Sequence, residues 1–244
     1  MKLVYLGILT TSIVISLGVL SLTPAYLELN PNKTVLLSFS IITESENLPE
    51  WCNELSNFLN TNKIKAVIFV TGKVAQEFPP CVSSFRSGID IGSQTYNYVE
   101  LTQISDYLEQ LDEIKNGKSA VDKAGNLNSK LFKAPNGSTD ENIYSLLIQA
   151  KILADFSYKN QYNKIYQEKF LKFDLASFQA SEYDFSYFKK LKFDDTPIMI
   201  NFDNSDSIDY IIDFILNLKS NEISFVNASE LTDLQLTQRE ENLV

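Results

Sequence analysis

Short, almost wholly apolar segments alternate with amphipathic segments along most of this chain of 244 residues. Apolar runs of roughly four to eight residues are typical of strands buried on both faces, and apolar residues at helical spacing predict amphipathic helices. The predicted strands cover 34–40, 64–70, 89–92, 131–134, 152–156, 198–201 and 223–226. The predicted helices cover 48–60, 78–86, 101–123, 141–150 and 208–218. This alternation predicts an α/β fold in which repeated βα units surround a parallel sheet.

Three other stretches complete the predicted organisation. Residues 27–33 form a short, mostly polar linker. Nothing after them resembles a second linker or an internal repeat, so residues 34–235 are predicted to form one domain. Residues 160–195 are rich in Tyr, Phe, Lys and Asp and predict loops with one candidate strand at 172–175. Residues 236–244 are predicted to be a polar C-terminal tail.

The N-terminal part of the chain contains an apolar run over residues 3–22. As a helix rising ~1.5 Å per residue it would span a hydrocarbon core of ~30 Å, and it exceeds the ~7–15 residues of a usual signal-peptide core. We therefore interpret residues 1–26 as an anchor in the cell membrane. Lys2 before the run favours a single pass with the domain outside the cytosol. The small residues around Ala25 leave a cleaved signal and secretion as the alternative.

Charge and histidine content exclude several kinds of function. The chain has 31 acidic and 21 basic residues and a net charge of −10, so the phosphate backbone of a nucleic acid would repel it. It contains no histidine. This excludes Ser-His-Asp and Cys-His nucleophiles, histidine-ligated metal sites and proton transfer by imidazole.

Cys52 and Cys81 are the only cysteines. An even number of cysteines in a domain outside the cytosol predicts a disulfide, and two buried thiols are the alternative. Asn-x-Ser/Thr triplets begin at Asn32, Asn136 and Asn227 and are candidate glycan acceptors. Such triplets also arise by chance in a chain rich in Asn and Ser.

Five segments resemble, in order, the motifs of the polysaccharide deacetylase family, also called the NodB-homology family or carbohydrate esterase family 4. Residues 36–39 (LLSF) resemble its first strand, which leads into Thr-Phe-Asp-Asp-Gly, and residues 62–72 (NKIKAVIFVTG) resemble its second strand. Residues 88–102 (GIDIGSQTYNYVELT) resemble Gly-His-Glu-Ile-Gly-Asn-His-Thr-Tyr-Ser-His-Pro-Asp-Leu-Thr. Residues 132–137 (FKAPNG) resemble Phe-Arg-Pro-Pro-Tyr-Gly, and residues 225–231 (FVNASEL) resemble the closing strand and turn. The resemblance implies a single distorted (β/α)7-type barrel with any site at the carboxyl ends of its strands.

The resemblance also implies where a metal site would lie. In this family one Asp and two His hold a divalent metal ion that activates water, and a neighbouring Asp accepts the proton of that water. The matching positions here are Ser40 for the base, Ile41 for the metal-binding Asp, and Gln94 and Tyr98 for the two His. An isoleucine side chain cannot bind a metal ion, and neutral Gln and Tyr are weak ligands. We therefore predict no metal ion and no other cofactor.

The other family positions are also replaced. Lys133 and Asn136 correspond to the Arg and Tyr of the third motif. Phe202 corresponds to the late His that protonates the leaving amine, and Asp203 beside it fits the pattern. Because phenylalanine cannot transfer a proton, no catalytic residue of the family is intact. Ile41 and Phe202 are thus expected where the ion and its proton donor would lie.

The residues at these positions suggest two other reactions. Ser40 and Lys133 could form a nucleophile and its base, but the sequence does not show the lysine to be desolvated or aimed. We interpret Ser40 as a small filler and Lys133 as a surface charge or a partner of Asp203. Asp155 and Asp203, both near predicted strand ends, are the candidates for a glycosidase pair, and solvated loop acids are the simpler interpretation.

The polar set Gln94, Tyr96, Tyr98 and Asn136 suits a carbohydrate, because aromatic faces stack on sugar rings while amides bond to hydroxyls. A filled barrel mouth that binds nothing is the alternative. We favour a catalytically inactive domain, a pseudoenzyme outside the cytosol, that binds an envelope glycan or serves as a scaffold in a membrane protein complex. The second hypothesis is a carbohydrate deacetylase, a hydrolase of non-peptide carbon–nitrogen bonds, with an atypical site.

Overall fold

The computed structural model describes residues 34–85, 88–157, 164–166, 170–173, 175–183, 185–190 and 197–241. The predicted anchor or signal segment, the linker at 27–33 and Asn32 lie outside the described residues. Within the described ranges, no helix combines the length and the apolar composition that crossing a membrane requires.

Ten strands in the described residues form one sheet. They are β1 (Thr34–Ile41), β2 (Ala66–Val70), β3 (Ile89–Ser93), β4 (Leu131–Phe132), β5 (Ala154–Asp155), β6 (Lys164–Tyr166), β7 (Phe170–Lys172), β8 (Ser177–Gln179), β9 (Ile198–Asp203) and β10 (Ser224–Val226). Their order is β6-β7-β5-β4-β3-β2-β1-β9-β8, and β10 pairs with β1 outside this path. All these pairs are parallel except β6 with β7. The sheet curls into a half-barrel, which confirms the predicted parallel α/β barrel.

Eight α-helices are described. They are α1 (Leu48–Asn62), α2 (Gly72–Glu77), α3 (Pro80–Ser83), α4 (Tyr107–Gly125), α5 (Glu141–Gln149), α6 (Phe185–Lys190), α7 (Ile208–Ser220) and α8 (Ala228–Glu241). Short 3₁₀ turns lie at Leu101–Gln103, Pro135–Gly137 and Ala180–Glu182. The side chains of Asp106, Asp140 and Ser207 accept backbone N–H groups at the starts of α4, α5 and α7, which fixes where these helices begin.

Several predicted elements differ from the observed ones. The helix predicted at 78–86 is confirmed only over α3 (Pro80–Ser83), and a separate helix, α2, ends before it at Glu77. Pro79 and Pro80 separate the two helices, because proline has no backbone N–H to continue the hydrogen bonds of a helix. Residues 160–195 contain β6, β7, β8 and α6 rather than loops alone, and β7 lies earlier than the candidate strand at 172–175. Helix α8 is too polar to show a clear apolar stripe, and it includes residues 236–241 of the predicted tail.

The two faces of β1 differ in polarity, although the whole strand is buried. One face packs with residues of α1 and α7 and consists of Val35, Leu37, Phe39 and Ile41. The other face lines the interior of the half-barrel, where Leu36 packs with apolar residues of β2, β9 and β10. Ser38 and Ser40 follow on that face toward the carboxyl end of the strand. The interior therefore changes from apolar to polar along β1, and the polar end lies where parallel strands terminate.

A disulfide joins Cys52 of α1 to Cys81 of α3, with an S–S distance of 2.07 Å, which confirms the predicted bridge. Both cysteines are fully buried in the apolar cluster outside β1. The bridge therefore holds α3 against α1 within the packed layer of helices.

Gly117 of α4 determines how closely this helix approaches the loop after β3. A Cβ atom at this position would lie 2.4 Å from the backbone oxygen of Gln94. The backbone N–H of Tyr96, in the same loop, donates to the Glu113 carbonyl of α4 at 3.0 Å. The missing side chain thus lets α4 support the loop that carries Gln94.

Candidate functional site

A pocket of about 460 Å³ opens at the carboxyl ends of the strands, and we name it the mouth pocket. Strands β1 and β9 and the segments after β3 and β4 contribute to its wall. The wall includes the six polar residues that the sequence assigns to the barrel mouth: Ser40, Gln94, Tyr98, Lys133, Asn136 and Asp203. These residues are distant in sequence, and they meet because parallel strands end at the same edge of the sheet.

Ile41 and the ring of Phe202 do not face the mouth pocket, so the expectation that they take the places of the ion and its proton donor is wrong. Ile41 is fully buried on the helix side of β1. Phe202 borders the pocket, but its ring is packed on the helix side, where it stacks on Phe39 at 5.2 Å between centroids. Because successive residues of a strand point to opposite faces, Ser40 and Asp203 reach the pocket instead, opposite each other in the β1–β9 register.

Lys133 lies inside the half-barrel, so its interpretation as a surface charge is wrong. Its Nζ donates to the Oγ atoms of Ser38 at 3.1 Å and Ser40 at 3.2 Å, and to Asn201 Oδ1 at 2.7 Å. Within the described part of the chain these contacts are to neutral oxygens, and no ion pair with Asp203 is formed. The three N–H groups of the ammonium thus match three acceptors.

The electrostatic environment weakens the charged form of Lys133. Burial lowers the pKa of the lysine from 10.5 to about 8, and the nearby Asp203 opposes this shift. Hydroxyl and amide oxygens replace only part of the hydration that a buried ammonium loses. The amine is therefore mostly charged at neutral pH, and a growing fraction is neutral as the pH passes 8.

This buried charge predicts a pH-dependent stability. Since the folded-state pKa of about 8 lies below the unfolded value of 10.5, the unfolded chain binds more protons in this interval, and the free energy of unfolding rises with pH across it. We expect the wild-type chain to gain about 2–3 kcal/mol relative to Lys133→Met between pH 7 and pH 10, measured by urea unfolding. Lys130→Met removes an exposed lysine and should follow the wild type. Parallel pH profiles of the wild type and Lys133→Met would contradict the prediction.

Gln94 and Asn136 place two amide groups in the mouth pocket. Gln94 is almost fully buried, and its Nε2 donates to the backbone oxygen of Phe69 at 3.0 Å, which fixes the orientation of the amide. Asn136 is exposed, and its Nδ2 donates to Glu100 Oε1 at 2.7 Å. The pocket therefore offers one fixed amide near its base and one at its rim.

Tyr98 supplies an aromatic face and a hydroxyl to the same pocket. Its backbone has φ 57°, a left-handed conformation that is strained for a bulky side chain and is often found at functional sites. Burial raises the pKa of the Tyr98 phenol, and the carboxylates of Asp203 and Glu100 raise it further. The hydroxyl therefore keeps its proton and can donate a hydrogen bond.

Tyr96 does not belong to the mouth pocket, in contrast to the predicted sugar-binding set. Its hydroxyl donates to Gln76 Oε1 at 3.0 Å, and its ring lines a separate groove of about 720 Å³ that residues of α2 and α4 border. Tyr96 and Tyr98 are two residues apart, but a turn in the backbone between them separates their positions.

The segment after β7 adds residues that the sequence analysis did not assign to the site. Ser177 and Gln179 of β8 line the mouth pocket, together with Glu182 and Tyr183 of the following turn. The Tyr183 ring stacks on Tyr187 at 4.6 Å between centroids. The sequence signal that could have indicated this part of the site is the high aromatic content of residues 160–195, which the prediction of loops did not take into account.

Asp155 and Asp203 do not form a pair of catalytic carboxylates. Asp155 is buried at 2% exposure, does not line the mouth pocket and accepts hydrogen bonds from the backbone and side chain of Ser157. Burial raises the pKa of Asp155 to about 6. The carboxylate therefore serves the local structure after β5, and only Asp203 of the two faces the pocket.

The residues of the mouth pocket do not fit a divalent metal ion. The positions that match the family ligands supply a neutral amide and a protonated phenol, and the described residues contain no cluster of three His, Cys, Asp or Glu side chains. An ion about 4 Å from the Lys133 ammonium would meet a repulsion on the order of 8 kcal/mol at an effective dielectric constant of ~20. We therefore derive no metal-dependent step for this site.

A comparison with protein families gives a match for this chain. Residues 28–154 match the sequence profile of the polysaccharide deacetylase family. No match is found among curated protein sequences.

Solved structures share the fold. A CE4 family pseudoenzyme from Bacillus anthracis has a TM-score of 0.62 at 13% identity, and the match covers 82% of this chain and 66% of that one. The peptidoglycan deacetylase PdaC from Bacillus subtilis has a TM-score of 0.63 at 17% identity, with 88% and 98% covered. A family 4 carbohydrate esterase from Streptomyces lividans in complex with acetate has a TM-score of 0.57 at 17% identity, with 80% and 92% covered.

At these identities the structural likeness concerns the fold alone. The sequence profile, however, covers more than half of the chain, and it includes β1 to β4, which carry Ser40, Gln94, Tyr98 and Lys133 or lead directly into them. The chain therefore belongs to the polysaccharide deacetylase family.

Proposed function

We propose that this chain acts outside the cytosol, has lost the metal-dependent deacetylation of its family, and binds a glycan of the cell envelope in the mouth pocket. The observation that carries the proposal is the position of Lys133, whose ammonium donates to Ser40 and Asn201 in the pocket. Ser40 matches the position of the family's base. The protein's own cation therefore lies where the family chemistry needs a carboxylate next to a metal ion.

The remaining wall of the pocket supports carbohydrate binding. Tyr98 and Tyr183 offer aromatic rings, and Gln94 and Asn136 offer amides. Aromatic faces pack on the C–H faces of sugar rings, and amides exchange hydrogen bonds with hydroxyls. The volume of about 460 Å³ falls within the range of roughly 300–1,000 Å³ of small-molecule sites. A polar concave wall favours a glycan over a protein scaffold, whose contact surface would be flatter and more apolar.

Two features support a location outside the cytosol. The apolar run at 3–22 would hold the domain at the membrane surface, close to envelope glycans. The Cys52–Cys81 disulfide is of a kind that persists in oxidising compartments. The disulfide thus favours an exported domain, and the apolar run favours a membrane anchor for it.

Binding of chitin oligosaccharides and of soluble peptidoglycan fragments by the solubilised full chain tests the proposal. We expect binding by isothermal titration calorimetry and a roughly fivefold loss of affinity in Tyr98→Ala, because one aromatic contact contributes about 1 kcal/mol. Tyr96→Ala is the matched control, since it removes a tyrosine two positions away that lines the separate groove beside α2 and α4, and its affinity should equal that of the wild type.

The same preparation decides between the two function classes. We expect metal analysis to find far less than one zinc ion per chain, and N-acetylated oligosaccharides to release no acetate. Stoichiometric zinc together with acetate release would overturn the proposal in favour of a carbohydrate deacetylase. Absence of glycan binding, with a partner protein recovered from solubilised membranes, would favour the scaffold.

A further inference from the structure

Lys133 touches two serines, but only one of them can meet a ligand. Ser38 and Ser40 accept hydrogen bonds from its Nζ at 3.1 and 3.2 Å. Ser38 is fully buried, whereas Ser40 is 8% exposed and lines the mouth pocket. Lys133 lines the same pocket and is itself partly buried, so the pocket contains a hydroxyl group in direct contact with an amine.

A third residue holds the amine in place. Asn201 Nδ2 donates to Ser177 Oγ at 2.6 Å and to the Phe178 carbonyl at 3.3 Å, so that its Oδ1 points toward Lys133 Nζ at 2.7 Å. A nucleophile, a base within hydrogen-bond reach and a residue that orients the base form the recurring arrangement of covalent catalysis. Serine and lysine are one of its known combinations.

We propose that Ser40 and Lys133 form a metal-independent nucleophile–base pair that hydrolyses acyl esters held in the mouth pocket. Ser40 and Lys133 act on the reacting atoms, and Asn201 is a positioning residue. The class of ester rests on the proposed function: the pocket that binds a glycan would present O-acyl groups of that glycan. The nucleophile–base pair itself rests only on the geometry of Lys133 and its contacts.

The reaction is a balanced two-step hydrolysis. In the first step, the Ser40 Oγ attacks the acyl carbon while its proton passes to the neutral amine of Lys133. The bond between the acyl carbon and the alcohol oxygen then breaks, and the leaving alcohol takes that proton. In the second step, water attacks the acyl–Ser40 ester with Lys133 again accepting a proton, which returns to Ser40 as the carboxylic acid leaves. The net change is ester plus water to alcohol plus acid.

The surroundings of Lys133 favour this role at mildly alkaline pH. Burial lowers the pKa of the amine to about 8, so an appreciable neutral fraction is available as a base. Three elements present the other titratable groups of the pocket: Tyr98 after β3, Glu182 and Tyr183 after β8, and Asp203 on β9. Tyr98, which lines the pocket and keeps its proton, is one hydroxyl that could donate to a developing oxyanion there.

A fluorophosphonate probe and p-nitrophenyl acetate test the pair in the full chain, because both react with an activated serine and need no glycan. We expect intact-mass analysis to find one probe per chain, with peptide mapping placing it on Ser40. The labelling rate and ester hydrolysis should rise with pH around a midpoint near 8. Asp203→Asn should move this midpoint to lower pH, because Asp203 raises the pKa of Lys133.

Matched variants separate the roles of the residues. Ser40→Ala should abolish labelling, and Lys133→Arg, which keeps the charge but cannot act as the base, should slow it about 100-fold or more. Ser145→Ala removes an exposed serine of α5, whose hydroxyl donates to the Glu141 carbonyl outside the pocket, and should leave Ser40 labelled. Circular dichroism confirms that each variant is folded. Absence of Ser40 labelling between pH 7 and pH 10 in the folded wild type, or unchanged labelling in Lys133→Arg, would overturn the inference.

The two proposals can fail separately. Glycan binding without reaction of Ser40 would overturn the nucleophile–base pair and leave the binding function standing. Reaction of Ser40 without glycan binding would support the pair and overturn the glycan as its source of esters.

Discussion

Phe202→His is expected to destabilise the chain by about 3–5 kcal/mol and to place no imidazole in the mouth pocket. The Phe202 ring is nearly fully buried on the helix side of β9, where it stacks on Phe39 and meets Phe214 edge-on at 5.4 Å. Imidazole is smaller than this ring, and its N–H and nitrogen would lie among apolar side chains. The loss is large beside the 5–15 kcal/mol by which domains are typically stable.

Urea unfolding at pH 8 and pH 5 measures this effect. A buried neutral histidine has a pKa below its unfolded value of ~6.5, so the unfolded state binds more protons below that pH, and the variant should lose further stability on acidification. Asp203→His is the matched control, since position 203 faces the mouth pocket, and we expect a loss of about 1 kcal/mol from the hydrogen bonds to Ser205. Equal stabilities of the two variants would show that residue 202 faces the pocket after all.

Removal of the disulfide is expected to lower the free energy of unfolding by about 3–4 kcal/mol. The bridge closes a loop between positions 29 residues apart, and the open loop adds conformational entropy to the unfolded chain. Cys52→Ala with Cys81→Ala avoids buried hydroxyls at two fully buried positions. Urea unfolding of the variant and of the wild type, each with and without reductant, measures the difference.

Reductant separates the bridge from simple packing effects. We expect it to lower the stability of the wild type toward that of the double variant and to leave the double variant unchanged. A wild type whose unfolding midpoint does not respond to complete reduction would contradict a stabilising bridge.

Much of the fold could be predicted from local patterns. Strand β2 is apolar over its whole length, and β1 and β9 are apolar over most of theirs, because both faces of these strands are covered; such runs are visible without knowledge of the fold. The segments predicted as loop or tail that form β8 and α8 lack such an apolar run. The sequence of α8 shows no clear apolar stripe, and β8 contains only three residues, all partly exposed.

The sequence could predict which positions belong to the candidate site, but not which of their side chains contact one another. The motif order named Ser40, Gln94, Tyr98 and Lys133, and the structure brings these residues together in one pocket. Tyr96 lies instead in the groove beside α2 and α4, because the chain bends at positions 96 and 97, after the end of β3.

Sequence alone determined the residue types, and with them the absence of histidine and the replacement of the carboxylates that match the family's base and metal ligand. It also determined the alternating pattern that specifies a parallel sheet. Only the tertiary structure decided which side of each strand faces the pocket, and therefore that Ile41 and the Phe202 ring lie outside it. It alone placed Lys133 against Ser40, 93 residues away in the sequence. These residues belong to β1 and to the segment after β4, which β2 and β3 separate in the sheet, so they meet only because the sheet curls, and no local pattern encodes that curl.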